Sequence, residues 1–578
     1  MDWLGPGELR VGLGCMRLST DENRNEEGAL ETIAAALAGG ITVFDTAYSY
    51  GHDEDELGHN EGLVARALRE SGSGDRARIV TKGGMRRSGT AWVPDGRARS
   101  IRADCEASLA ALDGQPVDLY LLHAPDPRTT WRTSVRALAR LVDDGLAPRI
   151  GVCNVNRAQL DEALERAPIT AVQVALSPFD DGALRGGILD RCVDAGITLM
   201  AHSPLGGPRR ARGLHRREDL AKIARERGVP EAEVALAWVL DLAPNVVVVP
   251  GARRPETARS AAHAASLQLD DGERARLGRT RAPRLARKAG DVVLVMGVPG
   301  AGKSRLAADL VERGYLRLNR DERGGSLRDL AAALEEALTE GAREVVLDNT
   351  YLTRASRSYV VEAATSHGIS ARCVWLDTPL AQAQVNLVER LLDRFGKLLT
   401  PEELNAAARS EPGVLSPTRQ MRSFRELEAP ADDEGFAVVE RVPFQRAPAK
   451  DARGSGVLVG AAAVGARGWE EALAGADPKA PHLVFDWRPD GTTAALAAAV
   501  TAVADVVSGT VEAAICPHPG GAPICWCRVP LPGLPLAFAR RHGIDLTHSV
   551  FLGTSAAHRT LATALGARHL SLDRTDAS

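Results

Sequence analysis

Aromatic side chains make up only 4% of this 578-residue chain, and none of its apolar runs approaches membrane-spanning length. A membrane-embedded class is therefore not expected. The opening MDWLGPGELRVGLG has neither the basic region nor the apolar core of a signal peptide. The eight cysteines form no disulfide-like ladder, since five stand singly and three crowd into residues 516–527. That usage predicts a reduced, cytoplasmic chain with one local metal site. A net charge of −4 argues against a uniformly basic nucleic-acid coat, so any polynucleotide would be held by local patches. What is present is ordinary for globular protein, with 44% apolar and 25% charged residues. The length exceeds one core and suggests about three to five domains.

Residues 297–304 read GVPGAGKS, a complete GxxxxGK[ST] phosphate-binding loop placed between the apolar run VVLVM and the helix-like SRLAADLVERG. Gly297, Gly300 and Gly302 let backbone N–H groups close around phosphates. Lys303 reaches the β- and γ-phosphates, and Ser304 sits on Mg²⁺. This region is expected to bind a nucleoside triphosphate such as ATP. Asp321 in GYLRLNRDERGG and Asp348 in REVVLDNT both follow short apolar strands. In an open parallel sheet such positions converge on one crevice, where one carboxylate can accept the proton of an attacking hydroxyl and another can orient Mg²⁺. Spacing alone also allows a turn residue and a helix cap.

GVPGAGKS, LNRD, VVLDNT, LEAP and EGFAVVERVPF occur here in the order seen in polynucleotide 5′-hydroxyl kinases. Residues 290–448 resemble the kinase domain of polynucleotide kinase–phosphatases. The resemblance implies that Asp321 is the general base on an RNA or DNA 5′-OH end and that Asp348 supports the metal and acceptor site. It also implies a lid helix donating arginine, for which VNLVERLLDRFGKLL offers Arg390 and Arg394, four residues apart on one helix face. Either arginine alone could equally be a solvated surface charge.

Before this region, ITVFDTA, ARIVTK, VDLYLLH, APRIGVCN, AVQVAL, ITLMAHS and VVVVPGA alternate with amphipathic helical stretches. That alternation predicts a (β/α)₈ barrel over residues 1–278, with Asp45, Lys82 and His123 at strand ends and Tyr50 in the following loop DTAYSYG. This set resembles the aldo-keto reductases over residues 8 to 277. The resemblance implies hydride transfer from NADPH to a carbonyl substrate, with Tyr50 as proton donor acidified by Lys82, Asp45 paired to Lys82, and His123 orienting the carbonyl. Gln173 is then available for the nicotinamide amide, and Arg253, Arg254 and Arg259 for an adenosine 2′-phosphate. Two departures are the acidic insertion HDEDELGH after Tyr50 and His202 where relatives commonly carry an aromatic residue.

Residues 279–290 form a basic linker. Arg274, Arg276, Arg279, Arg281, Arg284, Arg287 and Lys288 make a strip that either contacts phosphates or simply solubilises the connector. Beyond KDARGSG, the segment CPHPGGAPICWC sets Cys516, His518, Cys525 and Cys527 as two close ligand pairs, the donor set of a closed tetrahedral Zn²⁺ site. This loop, with CRVPLPGL and HSVFLGTSAAHRTLATALGA, resembles the zinc-bearing heptose-bisphosphate phosphatases of the haloacid dehalogenase superfamily over residues 455–578. The acids that superfamily needs are missing: GVLVGAAAVGA has none, Arg528-Val529 stands where a lysine is expected, and Gly553-Thr554 replaces Gly-Asp. Asp486 and Asp490 in FDWRPDGT are too far apart to substitute.

The expected architecture is thus three α/β units: reductase-like barrel, P-loop kinase at 291–448 and a zinc-stapled pseudo-phosphatase. The expected activity is ATP-dependent phosphorylation of polynucleotide 5′-OH ends in end processing or repair, beside an NADPH-type reductase. A carbonyl reductase joined to a small-molecule kinase, and a nucleic-acid-binding scaffold with relic enzyme domains, are the alternatives.

Overall fold

The computed structural model describes residues 3–5, 7–277, 289–446 and 454–573. The chain divides into two compact units, Met1–Ala282 and Pro283–Ser578.

In the first unit, β1 (Gly12–Gly14), β2 (Val43–Asp45) and β3 (Arg78–Gly83) precede a hairpin of β4 (Met85–Ser88) and β5 (Ala91–Pro94). They are followed by β6 (Val117–Leu122), β7 (Ile150–Cys153), β8 (Ile169–Ala175), β9 (Thr198–His202) and β10 (Val246–Val249). Apart from the hairpin, these strands pair in parallel in the order β1-β2-β3-β6-β7-β8-β9-β10. Bridges Val11–Val248 and Gly14–Gly251 bring the two edges together, as the (β/α)₈ expectation requires. Strand alternation builds two cores: in β10, Val247 and Val249 face an inner cluster with Val43, Val80, Leu119 and Met200, while Val246 and Val248 face the helices. Trp3 joins the inner cluster and donates to Thr198 Oγ1 at 2.8 Å.

Arg274 and Arg276 belong to the helix Asp271–Leu277 and pair with Asp241 at 2.6 Å and Glu226 at 2.8 Å, so these two are barrel-surface charges and not part of a linker strip. Arg279, Arg281, Arg284, Arg287 and Lys288 lie outside the described residues.

The second unit contains two parallel sheets. The first has β11 (Asp291–Met296), β12 (Leu316–Leu318), β13 (Glu344–Asp348), β14 (Ala371–Asp377) and β15 (Val439–Pro443) in the order β12-β13-β11-β14-β15. The second has β16 (Val457–Gly460), β17 (His482–Trp487), β18 (Val511–Cys516), β19 (Val550–Gly553) and β20 (Arg568–Ser571) in the order β18-β17-β16-β19-β20. The first unit holds one large parallel sheet and the second unit two, and the two sheets of the second unit are not independent bodies. Val388, Leu391 and Leu392 of the helix Leu380–Phe395, with Leu404 and Val414, share one buried cluster with Leu458, Phe485, Trp526, Phe538 and Phe551. The amphipathic helix needs a second apolar surface, and the C-terminal sheet supplies it.

Candidate functional site

At the carboxyl end of the barrel strands, β2 ends in Asp45, β3 carries Lys82 and the following turns place Tyr50 and His123 beside them. Lys82 Nζ donates to Asp45 Oδ1 at 2.8 Å, to the Thr46 carbonyl at 2.9 Å and to Tyr50 Oη at 3.2 Å. All three side chains are buried. Burial works against the Lys82 charge, but Asp45, Tyr50 and Cys153 together hold its pKa above the ordinary value, so the lysine stays a cation. Burial pushes the Tyr50 phenol up to about 12, against the pull of Lys82. The expected acidification is therefore outweighed by desolvation. His123 sits 5.6 Å from the Tyr50 ring, edge to face, and burial, with Lys82 and His202, drives its pKa well down and keeps the imidazole neutral.

Gln173 on β8 donates to Asp45 Oδ1 at 2.7 Å, so its amide nitrogen is engaged within the same network. His202, at the end of β9, lies 3.0 Å from Asn154 Oδ1, and Asn154 donates to the His123 carbonyl at 3.0 Å. Asn154 adopts the uncommon φ of 55°, a conformation that asparagine tolerates better than most residues. Arg253 and Arg254 lead into the helix Pro255–Ala264 directly after β10, and Arg259 is exposed on that helix. The helix N-terminus beside these cations can receive a phosphate. In the structure Arg253 pairs with Asp21 at 2.9 Å and Arg254 with Glu256 at 3.1 Å.

The mouth contains one residue that sequence reasoning missed. Trp92 of β5 packs 5.9 Å from the Tyr50 ring and 6.3 Å from His123, with Arg87 stacked 4.1 Å above it. The only sequence signal was a lone Trp in the short run AWVP. The hairpin that carries it is tied to the HDEDELGH insertion: Arg87 donates to the His52 carbonyl at 2.5 Å and the Gly89 N–H to Glu54 at 2.5 Å. The insertion thus holds a wall of the site.

In the second unit, GVPGAGKS forms the turn between β11 and the helix Lys303–Glu312. At Gly300, φ is 89° and a Cβ would lie 2.3 Å from the Ala383 carbonyl oxygen, so no side chain fits there. Gly297 and Gly302 also have positive φ. Lys303 Nζ donates to the Gly297 and Val298 carbonyls, both at 3.1 Å. Burial pushes its pKa down to about 8, with Asp348 and Asp321 opposing the shift and Arg390 adding to it. The charges of Asp321, Asp348 and Arg390 all act on the Lys303 ammonium. A cavity of about 1450 Å³ is lined by Lys303, Ser304, Asn386 and Arg390 together with Arg446 and Arg540, and neither Asp321 nor Asp348 lines it.

Asp321 is exposed in the short helix Arg320–Arg323. Asp348, buried at the end of β13, accepts from Arg317 at 2.5 Å and Asn319 at 3.1 Å. Arg390 and Arg394 do share a helix, and both reach the segment 411–413. Arg390 donates to the Gly413 carbonyl, and Arg394 donates to the Pro412 carbonyl at 3.3 Å and pairs with Glu411.

Cys516 ends β18, and its loop returns His518, Cys525 and Cys527 to it, with all four ligand atoms within 4.8 Å of one another. The sulfur of Cys516 lies 3.3 Å from Cys527 and 3.7 Å from Cys525, and His518 Nδ1 is 3.2 Å from Cys527. Thiolates bound tetrahedrally to zinc stand about 3.8 Å apart, so this donor set fits one such ion. In the same domain His558 fills the space at the strand ends: a Cβ at Gly460 or at Gly553 would lie 2.5 Å from it. Asp486 stands on β17, paired with Arg488 at 2.7 Å, and Asp490 accepts from Thr492 within its own turn.

Two family descriptions match the chain: "Aldo/keto reductase family" over residues 10–280 and "AAA domain" over residues 292–410. The chain is 30% identical over 274 residues to probable aldo-keto reductase 1 of Glycine max, spanning 42% of this chain and 76% of that protein. It is 26% identical over 322 residues to aldo-keto reductase str7 of Strobilurus tenacellus, spanning 50% of this chain and 88% of that one. A solved aldo-keto reductase from Klebsiella pneumoniae, in complex with NADP and acetate, is 27% identical with a TM-score of 0.40, covering 46% of this chain and 89% of its own. The family match over the barrel defines an oxidoreductase class. Through its first unit the chain belongs to the aldo/keto reductase family, and a P-loop domain follows it.

Proposed function

We propose that the chain joins two enzymes: an NADPH-dependent carbonyl reductase in the barrel and an ATP-dependent polynucleotide 5′-hydroxyl kinase in the second unit. The observation that supports the reductase best is the single Lys82 ammonium bonded to both Asp45 and Tyr50. NADPH supplies the hydride when bound, held by Gln173 at the nicotinamide and by Arg253, Arg254 and Arg259 at the 2′-phosphate. Neutral His123 donates a hydrogen bond that orients the substrate carbonyl, and Trp92 covers it. Tyr50 passes its proton to the carbonyl oxygen as that oxygen gains charge, and Lys82 stabilises the phenolate left behind.

For the kinase, the support is the phosphate-binding loop itself, in which Gly300 admits no side chain and Lys303 opens the helix that follows. ATP would supply the phosphoryl group when bound; Lys303 would hold its phosphates, and Ser304 and Asp348 would hold Mg²⁺. Asp321, the exposed carboxylate, takes the proton of the attacking 5′-OH. Arg390 or Arg394 neutralises the transferring group once the segment 411–413 releases it. In the C-terminal domain Cys516, His518, Cys525 and Cys527 would hold one Zn²⁺ as a closed structural site, and His558 packs where the strands at Gly460 and Gly553 end, a place with no acid to act as nucleophile.

Transfer of radiolabel from ATP to 5′-OH RNA and DNA oligonucleotides tests this reading. Transfer by wild type that is lost in Asp321→Asn, with ATP binding kept, is the expected result. Phosphorylation of small hydroxyl compounds without any polynucleotide transfer would replace the acceptor, and full activity in Asp321→Asn would remove the mechanism.

A further inference from the structure

The helix Pro417–Glu426 lies between the metal-site loop and the phosphate-binding loop and is hydrogen-bonded to both. Trp526, flanked by the ligands Cys525 and Cys527, is buried and donates Nε1–H to the Leu415 carbonyl at 3.1 Å. Thr418 Oγ1 donates to the Pro523 carbonyl in the same loop at 2.6 Å. Two residues on, Gln420, fully buried, donates its amide to the Pro299 carbonyl of the phosphate-binding loop at 2.9 Å. Asn386, from the helix that packs on the C-terminal sheet, donates to the Gly300 carbonyl at 2.7 Å.

These bonds carry a directional consequence. A trans peptide holds its C=O and the following N–H in opposite directions within one plane. Fixing the Pro299 carbonyl toward Gln420 therefore fixes the Gly300 N–H away from it. A phosphate loop works by having its N–H groups aimed before the anion arrives, since aiming them on binding costs conformational entropy. Gln420 can hold that peptide only as firmly as its own helix is held, and the N-terminal turn of the helix is held by Trp526 and Thr418.

We propose that the metal-site loop of the C-terminal domain is a positioning element of the nucleotide site: Trp526 and Thr418 fix the helix Pro417–Glu426, and Gln420 transmits that constraint to Pro299. Trp526, Thr418 and Gln420 are positioning residues, and the C-terminal domain sets the affinity of its neighbour for nucleotide. The proposal rests on the reading that residues 297–304 bind a nucleoside triphosphate.

Calorimetric titration of the full chain with MgATP tests it. Trp526→Phe keeps an aromatic ring in the buried position and removes the indole N–H, and Gln420→Met keeps the bulk and removes the amide. Each is expected to weaken MgATP binding about three- to tenfold, the effect of one lost hydrogen bond, with the metal content unchanged. Because both act through one path, the double variant should bind no more weakly than the weaker single variant, whereas independent effects would multiply. Thr418→Val, at an exposed position that tolerates change, should shift affinity in the same direction and guards against misfolding of the buried variants. Unchanged affinity in Trp526→Phe and Thr418→Val, or multiplied effects in the double variant, overturns the relay alone. A wild-type chain that binds no MgATP overturns the nucleotide reading and the relay together.

Discussion

The Lys82 ammonium lies 3.2 Å from the Tyr50 hydroxyl, yet the phenol stands at about 12, above the ordinary tyrosine value. The cation is shared with Asp45, and burial of Tyr50 outweighs what remains of its pull. Tyr50 therefore keeps its proton through neutral and moderately alkaline pH, and Lys82 acts mainly on the phenolate formed during transfer.

Carbonyl reduction is accordingly expected to show no alkaline loss of kcat/KM between about pH 7 and about pH 10, because the acid ionises above that range. Tyr50→Phe should lower the rate about 10²–10⁴-fold while NADPH binding, read by cofactor fluorescence, stays intact. An aldehyde panel reduced equally well by Tyr50→Phe would remove the proton-donor role. Lys82→Ala is a poorer test, since stripping one partner from a buried pair costs about 3–5 kcal/mol and endangers the fold.

Lys303 gives a second pH signature. Burial lowers its pKa to about 8 in the free protein, and bound phosphates would raise it again. MgATP binding near pH 8 should then take up a fraction of a proton, and affinity should be highest below about pH 8 and fall as pH rises through it. Calorimetry in buffers of different ionisation enthalpy reads this uptake directly. Lys303→Met, which has no ammonium to titrate, should abolish it along with most of the affinity.

One zinc per chain is expected by elemental analysis, bound by Cys516, His518, Cys525 and Cys527 with no open coordination position. Cys527→Ser should lower the zinc content. Because Trp526 links this loop to Leu415, hydrogen exchange should then quicken across residues 411–426 as well as in the loop. Absence of bound zinc in protein purified without chelator would refute the site.

The barrel carries a pH-dependent weakness of its own. Glu61 is fully buried, accepts from Thr81, and is pushed up from 4.5 to about 7 by burial. The folded state thus holds the proton more tightly than the unfolded chain. Its contribution is complete below about pH 4.5 and is lost as pH rises through about 7, a difference of about 3 kcal/mol. Denaturant unfolding followed by hydrogen exchange of barrel amides should show this decline in wild type and a flatter profile in Glu61→Gln.

Legibility in the sequence differed from element to element. The long apolar runs ITVF, DLYLL and VVVV announced their strands, but β1 is only Gly12–Gly14, too short and too rich in glycine to register. The hairpin Met85–Pro94 went unseen because MRRS and AWVP carry little alternating pattern. Arg274 and Arg276 read as linker charges because their acidic partners, Asp241 and Glu226, lie far back along the chain. The clustering of the three cysteines and one histidine of CPHPGGAPICWC was visible because side chains so close in sequence need only one loop to meet.

By itself the sequence determined the features whose information is local: the phosphate loop, the alternation of strands and helices, and the cluster of Cys516, His518, Cys525 and Cys527 within one loop. These follow from spacing, backbone freedom and side-chain chemistry over a few residues. Tertiary structure alone decided that Gln173 meets Asp45 across 128 positions, that Trp92 walls the reductase mouth, and that residues 385–414 share a core with the C-terminal sheet. Those relationships depend on barrel closure, strand register and the burial of one helix against a distant sheet. The free energy of such packing resides in contacts between segments, and a linear pattern records only that each segment has an apolar face to bury.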